Sequence, residues 1–323
     1  MSPKVPVKVI LGTHTVGDSV KGTLVSFDKT DDVKALLTTF NRRGYNEIDT
    51  AANYCVDAPG TSEDRLGKAD AASKFVIHTK VLDGPPGSHE SAKITASINK
   101  SLASLKTPTV QTIFLHVPDR QTPFEETVRA INEAVQQGKA KNFGLSNYTA
   151  AEVQQIIDIC EKNGYAKPSV YEGHYNPIVR GGEKELFPLL RKYNMSFLAY
   201  SPAAGGLFSG NSETSSRWAG DNQIAKLYST MYGKEAVQAS VNLVIDSSAK
   251  HGISGHAAAV RWTAFHSILD GKFGDGVIFG ASKLEQVDKT LDALEAGPLP
   301  EEVADAIKAV YKTVEGYEPA YHL

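Results

Sequence analysis

The chain alternates between short apolar runs and longer stretches in which apolar residues recur every three or four positions. The short runs are rich in β-branched residues and end in polar residues or turns, which is typical of buried parallel strands. The longer stretches have helical spacing, and several end at a glycine, as at Gly44, Gly138 and Gly164. Eight strands are therefore predicted, over residues 7–11, 46–50, 74–81, 110–117, 140–146, 169–175, 196–201 and 276–279.

Helices are predicted between these strands, and they make each connection long enough for parallel pairing. We expect Thr61 or Ser62 to cap the second helix, with acidic residues in its first turn. A long loop is predicted over residues 202–220. The predicted helices cover residues 31–43, 61–68, 88–105, 123–137, 149–163, 182–193, 233–250, 255–267 and 284–294, and one more, 300–314, lies outside the repeat.

Eight strand–helix units predict a (β/α)8 TIM barrel with an extra C-terminal helix and long strand-end loops. We expect residues 1–323 to form a single domain. An open doubly wound sheet is the competing interpretation, and it normally carries G-x-G-x-x-G after its first strand. Residues 11–17 read L-G-T-H-T-V-G and lack that motif, which favours the barrel.

Composition and net charge limit which binding partners and which cellular compartment we expect for this protein. Apolar residues make up 41% and charged residues 22% of the chain, and the net charge is −3. This charge argues against a nucleic-acid partner, and the hydropathy pattern predicts no membrane span. The two cysteines, Cys55 and Cys160, form neither a disulfide framework nor a metal-binding spacing. With no signal-peptide pattern at the N-terminus, we expect a cytoplasmic protein that needs no metal.

Polar side chains stand where the predicted strands end, which is the face that carries active sites in such barrels. Asp49 and Tyr54 follow the second strand, Lys80 ends the third and His116 follows the fourth. The later strands end in a second group of small, polar or aromatic residues. That group consists of Ser146, Asn147, Glu172, Tyr200, Ser201, Gly280 and Ser282.

The first four side chains suit proton transfer to a carbonyl oxygen. A phenol has a pKa of about 10, and a nearby ammonium group lowers it. Lys80 can act on Tyr54 in this way, while Asp49 offsets the cost of burying the ammonium. His116 can orient a carbonyl by hydrogen bonding. Because no side chain donates hydride, this chemistry requires a nicotinamide cofactor.

The motif D-T-A-x-x-Y at residues 49–54, followed by Lys80 and His116, resembles the catalytic tetrad of the aldo-keto reductase superfamily. The resemblance covers nearly the whole chain and is closest to the aflatoxin aldehyde reductase-like branch. It implies NADPH-dependent reduction of aldehydes or reactive ketones, with Tyr54 as the acid and transfer of the pro-R hydride. Supporting segments are S-E-D-R-L-G at 62–67, G-L-S-N-Y at 144–148, Y-E-G-H-Y-N-P at 171–177 and G-A-S-K-L-E-Q at 280–286.

The same resemblance implies a set of cofactor and substrate contacts. Ser146 and Asn147 would hold the nicotinamide amide, and Tyr200 would stack on its ring. Phe208, Arg217 and Trp218 would contact the substrate, a small carbonyl compound, and we allow for a homodimer. The residues implied to face the phosphates and the rest of the cofactor are Ser201, Ala203, Gly205, Leu207, Gly280, Ser282, Lys283 and Gln286.

Glu172 departs from the family pattern, which usually has glutamine at this position to bind the cofactor's carboxamide. An ionised glutamate accepts hydrogen bonds but cannot donate one. Two alternatives stay open, the first because of Glu172 and the second because Lys80 ends a strand. One is a regulatory subunit that binds NADPH without catalysis. The other is an aldolase in which Lys80 forms a Schiff base.

Overall fold

Eight parallel strands close into a barrel in chain order, β1 to β8, with β8 pairing back to β1. The computed structural model describes residues 5–210, 218 and 223–323. The closed sheet and its surrounding helices confirm the predicted TIM barrel. The strands are β1 (Lys8–Gly12), β2 (Glu47–Asp49), β3 (Val76–Lys80), β4 (Val110–Leu115), β5 (Ala140–Ser146), β6 (Val170–His174), β7 (Ser196–Tyr200) and β8 (Gly276–Gly280).

Helices cover the outside of the barrel, and their apolar faces pack on the outer faces of the strands. The helix after the repeat, α11, packs against α8. The helices are α1 (Thr30–Asn41), α2 (Thr61–Lys68), α3 (Ser91–Leu105), α4 (Phe124–Gln136), α5 (Ala150–Asn163), α6 (Leu186–Lys192), α7 (Gln223–Tyr232), α8 (Glu235–Ala249), α9 (Gly255–Phe265), α10 (Leu284–Glu295) and α11 (Glu301–Val314).

The barrel interior is filled by a separate cluster of strand residues. It consists of Ile10, Phe114, Val170, Leu198 and Ile278. Gly144 makes room for it, because a Cβ at this position would lie 2.4 Å from Phe114 Cε1. The Phe114 ring centroid in turn lies 5.8 Å from Lys80 Nζ. The polar side chains at the strand ends therefore lie next to a packed apolar cluster inside the barrel.

Three local predictions were wrong. Gly60, at φ +88°, precedes α2 as its N-cap, whereas Thr61 donates to Ala58 O and Ser62 to Thr13 O. The helix predicted over residues 182–193 is a short 3₁₀ turn followed by α6. Helix α7 was not predicted, and Ala204–Ser209 is a 3₁₀ turn within the predicted loop.

No helix in the described ranges has the length and apolar character needed to cross a membrane.

Candidate active site

A cavity of about 1470 Å³ opens at the carboxyl ends of the strands. This face is the one predicted to carry the site. Of the four proposed catalytic residues, Tyr54 and His116 border the cavity, while Asp49 and Lys80 lie buried beneath it. Ser146, Asn147, Glu172 and Tyr200 also border it.

Lys80 forms a fully buried centre of charge below the cavity. Its Nζ lies 2.6 Å and 2.7 Å from the two carboxylate oxygens of Asp49 and 3.0 Å from Thr50 O. Burial alone would lower the pKa of Lys80, but the neighbouring Asp49 carboxylate outweighs this effect and raises that pKa. The amine therefore stays an ammonium group.

Tyr54 places its hydroxyl between this ammonium and Asp49. The Tyr54 Oη lies 3.2 Å from Lys80 Nζ and donates a hydrogen bond to Asp49 Oδ2 at 3.0 Å. Burial and the Asp49 charge raise the pKa of Tyr54 well above its usual value, although Lys80 acts in the opposite direction. The predicted lowering effect of Lys80 on this pKa is therefore present, but burial and the Asp49 charge outweigh it. Tyr54 consequently carries its proton at neutral pH.

His116 lies edge-on beside the Tyr54 ring, with the ring centroids 6.2 Å apart. Its Nδ1 lies 3.0 Å from Asp83 Oδ1, so Asp83 orients the imidazole and leaves Nε2 for another partner. Burial would raise the pKa of Asp83, but the hydrogen bond with His116 lowers it overall. Asp83 was missed in the sequence, although a carboxylate three residues after Lys80, just past a strand end, was a usable signal.

Glu172 is a second carboxyl group beside the buried ammonium. It is 3% exposed, and its Oε1 lies 3.2 Å from Lys80 Nζ. Burial and the neighbouring Asp49 charge raise the pKa of Glu172 to about 8, even though Lys80 acts to lower it. The residue that departs from the family pattern therefore contacts the buried Lys80 ammonium group directly.

The polar groups at the ends of β5 and β7 are joined by hydrogen bonds. Asn147 lies at φ +66°, and its Nδ2 donates to His116 O at 2.9 Å and to Ser146 Oγ at 3.1 Å. Tyr200 Oη donates to Asn147 Oδ1 at 3.1 Å. Both Asn147 amide protons are thus used within the protein, whereas the Ser146 hydroxyl donates to no other residue in the described part of the chain. Thr149 then starts α5 with a capping box.

His174 covers one face of the Tyr200 ring. The two rings are stacked with centroids 5.2 Å apart and an interplanar angle of 11°. Burial lowers the pKa of His174 to about 3, so it is a neutral packing residue, and it bonds Tyr232. The contact of His174 with Tyr200 could not be predicted from residue types, because it depends on the pairing of β6 with β7.

The turn after β7 borders the cavity through backbone with unusual torsions. Ser201 has φ +55° and Gly205 has φ +64°. Ala203 and Phe208 also border the cavity, whereas the Leu207 side chain lies in the hydrophobic core. Trp218 donates from Nε1 to Gly205 O at 3.2 Å and borders the cavity. Arg217 lies outside the described residues.

The loop after β8 forms the opposite rim. Gly280, Ser282 and Gln286 border the cavity, while the Lys283 side chain is exposed. Gln286 Oε1 accepts hydrogen bonds from Ser282 N at 2.7 Å and from Lys283 N at 3.2 Å. The backbone N–H groups of Ser282 and Lys283, which the resemblance implies would face the cofactor, are therefore already bonded to the protein's own side chain.

Comparison with known proteins agrees with this geometry. Residues 8–312 match the model of the Aldo/keto reductase family. Aldo-keto reductase family 7 member A3 of Homo sapiens is 38% identical, covering 89% of this chain and 91% of that protein. Aflatoxin B1 aldehyde reductase member 4 of Homo sapiens is 37% identical, covering 90% and 91%. Oxidoreductase sirO of Leptosphaeria maculans is 33% identical, covering 99% and 98%. The chain therefore belongs to the aldo/keto reductase family, whose members are oxidoreductases that act on small-molecule carbonyl compounds.

Proposed function

We propose that this protein reduces aldehydes or reactive ketones to alcohols with NADPH, using Tyr54 as the proton donor. The observation that carries the proposal is the position of the Tyr54 hydroxyl. It lies at the cavity surface, 3.2 Å from the Lys80 ammonium and 3.0 Å from the Asp49 carboxylate. Relatives named as aflatoxin B1 aldehyde reductases favour an aldehyde as the substrate class.

The residues around the cavity suit a nicotinamide nucleotide. Tyr200 borders the cavity, and His174 stacks on one face of its ring. The Tyr200 ring is thus fixed in place and can hold a flat aromatic group. The Ser146 hydroxyl proton and the buried Glu172 carboxyl can bond an amide. The turn at Gly205 and Gly206 supplies backbone with no side chain, and a Cβ at Gly206 would meet nothing within 4 Å. Lys289, which also borders the cavity, supports a preference for the extra phosphate of NADPH over NADH.

The roles of the side chains follow from their contacts. A bound nicotinamide supplies the hydride. His116, held by Asp83, donates a hydrogen bond that orients the substrate oxygen. Tyr54 gives its proton to that oxygen as negative charge develops there, because an alkoxide is a much stronger base than a phenolate. Lys80 stabilises the phenolate directly, since its Nζ already contacts Tyr54 Oη.

The contacts of Lys80 speak against the aldolase alternative. A Schiff base requires a neutral amine as nucleophile. The Lys80 amine is instead held as an ammonium by Asp49, Glu172 and the Thr50 carbonyl. Borohydride should therefore trap no carbonyl compound on this lysine.

The test is Tyr54→Phe, which removes the proton donor and keeps the ring. Reduction of nitrobenzaldehyde should fall by a factor of about 10²–10⁴ or more, while the NADPH dissociation constant changes little. Tyr165→Phe is the matched control, because its ring packs on the outer core and it should keep full turnover. Unchanged turnover in Tyr54→Phe would contradict the mechanism. NADPH binding without turnover of any carbonyl compound by the wild type would favour the regulatory subunit.

A further inference from the structure

Two buried carboxyl groups, those of Asp49 and Glu172, share one buried cation, the Lys80 ammonium group. Lys80 Nζ lies 2.6 Å from Asp49 Oδ1 and 3.2 Å from Glu172 Oε1. Lys80, Asp49 and Glu172 are each 3% exposed or less. With both carboxyls ionised, this cluster would carry an uncompensated negative charge out of contact with water. Such a charge is costly, and a buried group usually takes up a proton instead.

We propose that Glu172, and not Asp49, carries this proton at neutral pH, and that Glu172 acts as a neutral hydrogen-bond donor toward the carboxamide of the nicotinamide. This inference rests on the proposed function for the identity of the ligand. A protonated carboxyl group has one O–H donor and one carbonyl acceptor. It therefore offers the donor that a glutamine at this position provides and that an ionised glutamate lacks.

The contacts of the two carboxyls assign the proton to Glu172. Both Asp49 oxygens accept hydrogen bonds from Lys80, and Oδ2 also accepts one from Tyr54, so Asp49 is stabilised as a carboxylate. Glu172 has an ion-pair contact with Lys80, in which Oε1 lies 3.2 Å from Nζ. Among the described residues, none donates a hydrogen bond to Glu172 Oε2, which is buried. Oε2 is therefore the oxygen with room for a proton.

The charged and titratable groups around Glu172 lie on or just after four strands, β2, β3, β6 and β7. Asp49 on β2 disfavours its ionisation, whereas Lys80 on β3 favours it. Tyr54 after β2 and Tyr200 on β7 both have raised pKa values, so they stay neutral beside it. His174, on the same strand, is kept neutral by burial. The balance raises the pKa of Glu172 to about 8, mainly through burial.

A pH dependence of cofactor binding follows. Below about pH 8 Glu172 is a donor, and above it the residue becomes a second carboxylate next to Asp49. The NADPH dissociation constant should then rise by up to about tenfold per pH unit, because binding requires the proton. Lys80 and Tyr54 keep their protons through this range, since the pKa of each is raised.

The first experiment measures the NADPH dissociation constant by fluorescence titration across this pH range. The wild type should lose affinity at alkaline pH, and Glu172→Gln, which has a permanent N–H donor, should lose this pH response. Glu63→Gln is the matched control. Glu63 is also buried and bonded to a neighbour, Thr79, but it does not border the cavity, so this variant should keep the wild-type response. Equal pH responses in the wild type and Glu172→Gln would overturn the proposal.

The second experiment needs no cofactor and separates this inference from the proposed function. Infrared spectra of the wild type should show a protonated-carboxyl band that titrates near pH 8 and is missing in Glu172→Gln. A wild-type spectrum without such a band would overturn the assignment of the proton, even if Glu172→Gln failed to fold. If this band is present and Tyr54→Phe keeps full turnover, the catalytic proposal is contradicted but the assignment of the proton to Glu172 stands.

Discussion

The two halves of the cavity are built by different means. The half that we propose supplies the proton, called the acid half, lies at the ends of β2 to β4 and is held by charge, with Lys80 paired to Asp49 and Asp83 paired to His116. The half that we propose binds the nucleotide, called the cofactor half, lies at the ends of β5 to β8 and is held by neutral hydrogen bonds and by backbone with positive φ. Glu172, on β6, joins the two halves through its contact with Lys80. Substitutions in the acid half should therefore affect turnover, and those in the cofactor half should affect nucleotide affinity.

The largest effect is expected from Lys80→Met. This change leaves Asp49 buried without its cation, which should reduce the free energy of unfolding by about 3–5 kcal/mol. Turnover should fall to background, because the Tyr54 phenolate loses its stabilising charge. Urea denaturation and the rate of NADPH oxidation measure the two effects.

Two further variants sharpen this prediction. The double variant Lys80→Met/Asp49→Asn removes both charges and should recover much of the stability but none of the turnover. Lys8→Met breaks an exposed pair with Glu47 and should cost only about 0–1 kcal/mol. A Lys80→Met protein as stable as the wild type would show that the acid half is not held by charge.

A smaller effect is expected from Asp83→Ala, which frees the His116 ring to turn. The kcat should fall by about a hundredfold, because a misplaced orienting group is costly even when the acid itself is intact. The NADPH dissociation constant should stay within about twofold, since the change lies in the acid half. Asp270→Ala removes an exposed carboxylate paired with Lys272 and should leave both constants unchanged. A loss of affinity in Asp83→Ala with normal kcat would contradict the division into halves.

The smallest effect is expected from Tyr200→Phe. It keeps the ring and removes the hydrogen bond to Asn147, which is worth about 0.5–1.5 kcal/mol. The NADPH dissociation constant should rise several-fold while kcat is retained. Fluorescence titration and steady-state kinetics distinguish the two, with Tyr165→Phe as the control. A fall in kcat with unchanged affinity would place Tyr200 in the acid half.

The sequence predicted the acid half better than the cofactor half, for physical reasons. Asp49, Tyr54, Lys80 and His116 stand at strand ends, and strand periodicity alone brings them to one face of a barrel. The net pKa of Tyr54 could not be predicted, because it depends on burial and on distances to Asp49 and Lys80.

The cofactor half depends on backbone torsions and on pairing across strands, which residue types do not reveal. The Leu207 side chain turns into the core, and the Gln286 side chain occupies the start of α10 itself. Helix α7 was not predicted, because the residues just before it, 202–220, have the sequence pattern of a loop. Glu172 was identified as a departure, but its effect on the cluster required knowing that it lies 3.2 Å from Lys80.

The most direct test of the central claim follows the transferred hydrogen. An activated aldehyde is incubated with the wild-type protein and NADPH doubly deuterated at the hydride-bearing carbon, and the alcohol is examined by mass spectrometry. Hydride transfer in this cavity predicts one deuterium on the carbinol carbon of each product molecule, and product formation slower by a factor of about 10²–10⁴ or more with Tyr54→Phe. An alcohol without deuterium, or no alcohol from any aldehyde tested, would contradict the account.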